Sequence, residues 1–231
     1  MIKVASYNMH KGVGADRRRN PERILDVLRE VDADIVALQE ADLRLGTRAG
    51  VLTPHLLEEH SDWKPVGVAQ RALSIGWHGN ALLVRKRARI VDCAAIHLPA
   101  LEPRGAVMAD VELDGLTVRV VGMHLDLSGL WRRKQARAIL AHLAGCSHPR
   151  PTVMMGDLNE WTRAAGCLRD FARDHDFADT GPSFHARRAV GRLDRIMTSR
   201  DLSVVDCGVH MTAAARIASD HLPIWARLQA A

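Results

Sequence analysis

The chain has 231 residues, 47% of them hydrophobic, with a net charge of +5 at neutral pH and a sequence pI near 9.4. That length supports a full hydrophobic core, and the lack of linkers, low-complexity tracts and solenoid repeats predicts a single domain over residues 1–231. The positive balance favours an anionic partner, whether phosphate ester, nucleic acid or anionic lipid surface, although Arg-for-Lys usage also has a purely compositional origin.

In chain order, Ile2 to Tyr7 reads as a short strand ending at Asn8. A polar loop through Gly12, Gly14 and Arg17-Arg18-Arg19 closes at Asn20-Pro21, a helix cap followed by proline at the first helical position. Ile24, Leu25, Val27, Leu28 and Val31 then share one helical face. Asp34 to Glu40 is a second, apolar strand. A strand–helix–strand passage of this length predicts a parallel crossover, with Asn8 and Glu40 on the same C-terminal edge.

Thr53-Pro54 opens a short helix to His60, and Trp63–Val68 and Asn80–Val84 read as strands around a loop bearing Trp77 and His78. The basic run Arg85 to Arg89 reads as a solvated hairpin tip rather than a nucleic-acid patch. Ile90–His97, Ala106–Leu113 and Thr117–His124 are further strands, with Asp114-Gly115 a hairpin turn. Leu130–Leu143 is expected to be helical, facing inward through Ala136, Ile139, Leu140 and Leu143.

Val153-Met-Met-Gly-Asp-Leu-Asn159 is an apolar strand running into a polar rim. Alternate residues of an extended segment point the same way, so Asp157 and Asn159 can meet one ligand; the same letters are also ordinary turn chemistry. Arg163–His175 reads as a helix. Gly191–Thr198, Ser203–Val209 and Pro223–Leu228 read as strands, with Ser219-Asp-His221 just before the last. The fold class is therefore α/β, two packed sheets flanked by helices. The cysteines at 93, 146, 167 and 207 lack metal or redox spacing, and no segment reads as a signal peptide or a membrane span, so free thiols and a cytoplasmic location are expected.

Five of these segments carry a carboxylate, amide or imidazole at a strand end, at Asn8, Glu40, His124, Asp157 with Asn159, and His221. The set Ser6-Tyr-Asn8, Leu38-Gln-Glu40, Gly79-Asn80-Ala-Leu-Leu83, Pro103-Arg104-Gly, Gly122-Met-His124, Gly156-Asp-Leu-Asn159, Arg192-Leu-Asp194 and Ser219-Asp-His221 resembles, in order, the endonuclease/exonuclease/phosphatase superfamily that includes deoxyribonuclease I. The resemblance covers almost the whole chain and implies a four-layer α/β sandwich of two mixed sheets.

Glu40, Asn8 and Asp220 are hard oxygen donors suited to Mg²⁺, with Mn²⁺ as a substitute, and the resemblance makes Glu40 the most direct ligand. His221 is the candidate general base, with Asp194 behind it by resemblance. Asp157 and Asn159 are placed beside the phosphorus, and His124, Arg104 and Asn80 are candidate donors to its non-bridging oxygens.

These assignments describe metal-dependent hydrolysis of a phosphoester by His221-activated water. A nuclease substrate is slightly favoured; the alternative is a lipid headgroup or small phosphorylated metabolite, and a silent phosphate-binding module stands third. Arg17–Arg19, Arg132–Lys134 and Arg187-Arg188 are candidates for a nucleic-acid track or for solvated loops, and Trp77, His78 and Trp131 for substrate contact or loop packing. Arg195 departs from the family pattern, which places an aromatic after the aspartate.

Overall fold

Successive residues of the first strand, Val4 and Ala5, enter different hydrophobic cores, because every central strand here is apolar on both faces. The computed structural model describes residues 1–43, 49–69 and 73–231. Its strands are β1 Ile2–Asn8, β2 Ile35–Gln39, β3 Trp63–Pro65, β4 Ala81–Arg85, β5 Arg89–His97, β6 Gly105–Leu113, β7 Leu116–His124, β8 Thr152–Asp157, β9 His175–Phe177, β10 Asp194–Ser199, β11 Leu202–Val209 and β12 Ile224–Ala230. The helices are α1 Pro21–Val31, α2 Pro54–His60, α3 Gly129–Ala144, α4 Leu168–Phe171 and α5 Ala213–Ala218.

Two six-stranded sheets form, in the orders β11-β12-β1-β2-β4-β3 and β5-β6-β7-β8-β10-β9. Val4, Ile35, Ala37 and Leu82 of the first sheet meet Val107, Val120, Val153 and Ile196 of the second in a shared apolar core. Helix α1 covers the outer face of the first sheet, and α3 and α4 cover that of the second. The result is the expected four-layer sandwich. Within each sheet one pair is parallel, β1 with β2 and β7 with β8, and each is joined by a crossover helix. The two crossover units pack against each other with their C-terminal ends at the same edge.

Local chemistry sets the element ends. The Asn20 side chain accepts from Arg23 N at 3.0 Å and Pro21 starts α1. Gly122 lies between the sheets, where an added Cβ would stand 3.0 Å from Leu82 and 3.1 Å from Ala37. Gly156 adopts φ +156°, and a Cβ there would lie 1.9 Å from the Met123 carbonyl oxygen.

Several sequence expectations are corrected. The helix expected over Arg163–His175 is reduced to α4, because Gly166 at φ +60° interrupts it, and His175–Phe177 becomes a strand. The strand expected over Trp63–Val68 ends at Pro65, one backbone bond short of its last contact with β4, Val66 N to Leu82 O at 2.8 Å. The basic run after Val84 is a connection between sheets rather than a hairpin tip, and its arginines pair with Asp32, Asp34, Asp62, Asp114 and Glu112. Helix α5 adds to the elements expected from the sequence, and Thr212 caps it by accepting from Ala215 N at 3.2 Å.

Candidate active site

The end of β8 sits between β7 and β10, and their pairing places His124, Asp157 and Asp194 directly opposite one another in a single row. Residues paired across a sheet point to the same face, so the row presents an imidazole and two carboxylates to the cleft between the sheets. His221, just before β12, completes it. Its Nδ1 lies 2.8 Å from Asp194 Oδ2 and its Nε2 lies 3.7 Å from Asp157 Oδ2. The Ser183 hydroxyl also donates to Asp194 Oδ2, fixing the carboxylate from the other side.

Asp157 is the hub. Its Oδ2 accepts from Asn8 Nδ2 at 3.0 Å and stands 3.4 Å from His124 Nε2, while its Oδ1 accepts from Asn159 N at 2.9 Å. Asn159 lies beyond the strand at φ +50° and donates Nδ2 to the Leu125 carbonyl at 2.9 Å. Asp157 and Asn159 therefore meet through a turn, not as neighbours on an extended segment.

The two histidines are in opposite electrostatic settings. Burial disfavours a charged ring at His221, but Asp194, Asp157 and Asp220 overcome it and raise its pKa to about 10. At His124 burial prevails, helped by Arg104, and lowers the pKa to about 4. Arg104 Nη1 donates to His124 Nε2 at 2.8 Å, which leaves His124 neutral with its remaining proton on Nδ1.

Asn80 is buried, yet its amide N–H groups are directed at backbone carbonyls, including Gly105 O at 2.9 Å. Its donors tie the start of β4 to the start of β6 instead of pointing to a phosphate.

Asn8, Glu40 and Asp220 surround the turn that follows β1. Glu40 leaves β2 at φ +52° and its Oε2 is ion-paired with Lys11 Nζ. Burial works against that carboxylate, but Lys11 and the nearby histidines lower its pKa to about 2. His10 Nδ1 lies 3.7 Å from Asp220 Oδ1, and Ser219 Oγ donates to Asn8 O at 2.7 Å, which brings Asp220 to the same place. A carboxylate held ionised and already drawing an ammonium group, with a second carboxylate and an amide oxygen nearby, fits a hard divalent cation.

Asp157, Asp194 and His221 also converge, with ligand atoms within 4.8 Å of one another. Within that cluster the His221–Asp194 contact is a hydrogen bond at 2.8 Å.

Sequence reasoning missed Lys11, Ser183, Phe184 and Trp161. They sit in loops without periodicity, and only the fold shows what they touch. The Phe184 ring lies 4.8 Å from that of His221, and Trp161 meets Phe184 edge-on at 5.9 Å. Arg132, a candidate for a nucleic-acid track or a solvated loop, is buried and ion-paired with Glu160 at 3.1 Å. Arg195 is buried as well, donating to the Asp194 carbonyl at 3.1 Å and lining a cavity with Arg163 and Arg192.

Two mixed sheets with this polar row at one edge define a phosphoester-hydrolase fold of the deoxyribonuclease I type. The chain belongs to the Endonuclease/Exonuclease/phosphatase family, whose model matches residues 5–221. No curated protein matches it.

Among solved structures, an endonuclease/exonuclease/phosphatase from Bacteroides vulgatus superposes with a TM-score of 0.79 at 19% identity, covering 100% of this chain and 99% of that one. The mannosyl-6-phosphatase Bt3783 of Bacteroides thetaiotaomicron gives 0.78 at 19% identity, covering 99% and 100%. TDP2 from D. rerio, complexed with a single-strand DNA product, gives 0.74 at 16% identity, covering 99% and 98%. No described helix is long and apolar enough to cross a membrane.

Proposed function

We propose that this protein is a Mg²⁺-dependent phosphodiesterase, with a nucleic acid as the favoured substrate. The observation that carries the reading is the His221–Asp194 pair at 2.8 Å, facing Asp157 across a row fixed by strand pairing. In this reading Asp194 orients the ring of His221, whose Nε2 takes the proton of the attacking water. Asp157 and Asn159 position that water and the phosphoryl group, and Arg104, held against neutral His124, offers positive charge to the non-bridging oxygens.

Glu40, Asn8 and Asp220 would hold the metal, with Lys11 yielding its place on Glu40. When bound, such an ion polarises a phosphoryl oxygen and, by its charge beside Asp220, favours the neutral form of His221.

TDP2 with its DNA product supports a nucleic-acid substrate. A second reading, a small phosphorylated metabolite, draws support from the mannosyl-6-phosphatase. The lipid-headgroup reading gains no support from these likenesses. A silent module is disfavoured because each expected catalytic position is filled.

The test is conversion of supercoiled plasmid to nicked circles with Mg²⁺ or Mn²⁺, against EDTA and His221→Ala controls. Metal-dependent nicking lost in the variant supports a nuclease. No nicking by folded protein overturns the nucleic-acid assignment and directs assays to small phosphoesters.

A further inference from the structure

Trp161 is 64% exposed, an unusual position for the largest apolar side chain. It is nevertheless held firmly. The preceding residue, Glu160, is buried, ion-paired with Arg132 and hydrogen-bonded to Thr162 N and Oγ1 at 3.1 and 2.9 Å. Arg132 also donates to the Leu127 carbonyl at 2.6 Å, so one buried pair clasps the loops that follow β7 and β8.

The indole rests over Gly191, where an added Cβ would lie 3.1 Å from Trp161 Cζ3, and Phe184 meets it edge-on. One side of the ring is therefore seated on the protein while much of the rest is open. Through Phe184 this slab connects directly to His221.

An in-line displacement puts the leaving oxygen opposite the attacking water. In the proposed chemistry the water stands at His221 Nε2, on the His221 side of the phosphorus, and the Phe184 ring that carries the slab lies 4.8 Å from the ring of His221 on that side. The leaving group therefore departs on the far side, and the substituent that stays on phosphorus, equatorial to both, is the nearer of the two ester groups to the slab.

We propose that Trp161, braced by Phe184 and the Arg132–Glu160 pair, stacks on a planar, nucleobase-like ring carried by the retained substituent of the phosphodiester. This rests on the phosphodiesterase reading above and adds the residue that would select a base-bearing substrate. Stacking reads any base, because every base has a π-face, so the preference is for planar rings and not for sequence.

The experiment compares kcat/KM for thymidine 5′-(p-nitrophenyl) phosphate, methyl p-nitrophenyl phosphate and octyl p-nitrophenyl phosphate. All share one leaving group and differ in the retained substituent. For native protein the thymidine ester is the best of the three.

In Trp161→Ala the thymidine-to-methyl ratio falls about ten-fold, and Trp161→Phe restores part of it. An unchanged ratio in Trp161→Ala overturns the proposal while leaving the hydrolase reading intact. An equal drop for the octyl ester also overturns it, because the surface then reads apolarity and not planarity. No turnover of any ester by native protein with Mg²⁺ or Mn²⁺ removes the phosphodiesterase reading and this inference with it.

Discussion

Asn8 Nδ2 donates to Asp157 Oδ2 at 3.0 Å, and this bond joins the end of β1 in one sheet to the end of β8 in the other. It ties the proposed metal side of the cleft to the carboxylate row. Asn8→Ala is expected to cost about 1 kcal/mol of stability and at least about ten-fold in kcat/KM. Thermal unfolding and ester hydrolysis check it, and native-like turnover would remove Asn8 from the working site.

His221 and Asp194 act as one unit in the proposed chemistry, so their losses overlap. Single changes His221→Gln and Asp194→Asn should each lower kcat by about 10²- to 10⁴-fold, with the double variant close to the worse single. Multiplying losses in the double-variant cycle would show that the two residues work independently.

Glu40 is the most direct proposed metal ligand. Glu40→Gln should weaken Mn²⁺ binding by about ten-fold or more, measured by calorimetry on protein without substrate. Lys11→Ala, which frees Glu40 of its ammonium partner, should tighten binding. Equal Mn²⁺ affinity in native and Glu40→Gln protein would place the metal elsewhere.

Glu160 gives a pH prediction for stability. Burial pushes its pKa up, but the Thr162 donors and Arg132 push it further down, so the folded value lies below the ordinary 4.5. A depressed carboxyl pKa contributes stability that is complete above 4.5 and is lost as pH falls through the lower folded value. Glu160→Gln should be less stable near neutral pH and lose less than native protein on acidification. Identical acid-unfolding curves would show that the pair contributes nothing there.

Gly156→Ala should be strongly destabilising, by about 3 kcal/mol or more, because its Cβ would collide with backbone and not with a side chain that can move. Denaturant unfolding measures it. Gly115→Ala, at a hairpin turn with open space around the Cβ position, meets only the cost of its positive φ and serves as the comparison.

Much of this was legible in the sequence, for physical reasons. Strand ends are readable because apolar runs stop where polar groups begin, and Asn8, Glu40, His124 and Asp157 all stand at such points, with His221 just before β12. Relations across space were not readable. Nothing local marks that Asn80 donates to Gly105, that Lys11 folds back onto Glu40, or that Arg132 is buried in a charge pair. The failed Arg163–His175 helix has a local cause in Gly166 at φ +60°, but that Glu160 Oε2 would lie 2.2 Å from a Cβ there is a relation only the fold shows.

The row His124, Asp157, Asp194 is held by backbone pairing among β7, β8 and β10, whereas the stacking tryptophan and the basic turn after β1 belong to the rim. Reactivity and recognition thus rest on different parts of the fold. Rim segments can be shortened, lengthened or exchanged to change what enters the cleft without rebuilding the reacting centre, so one framework can be retrained for different phosphoesters by altering its edge alone.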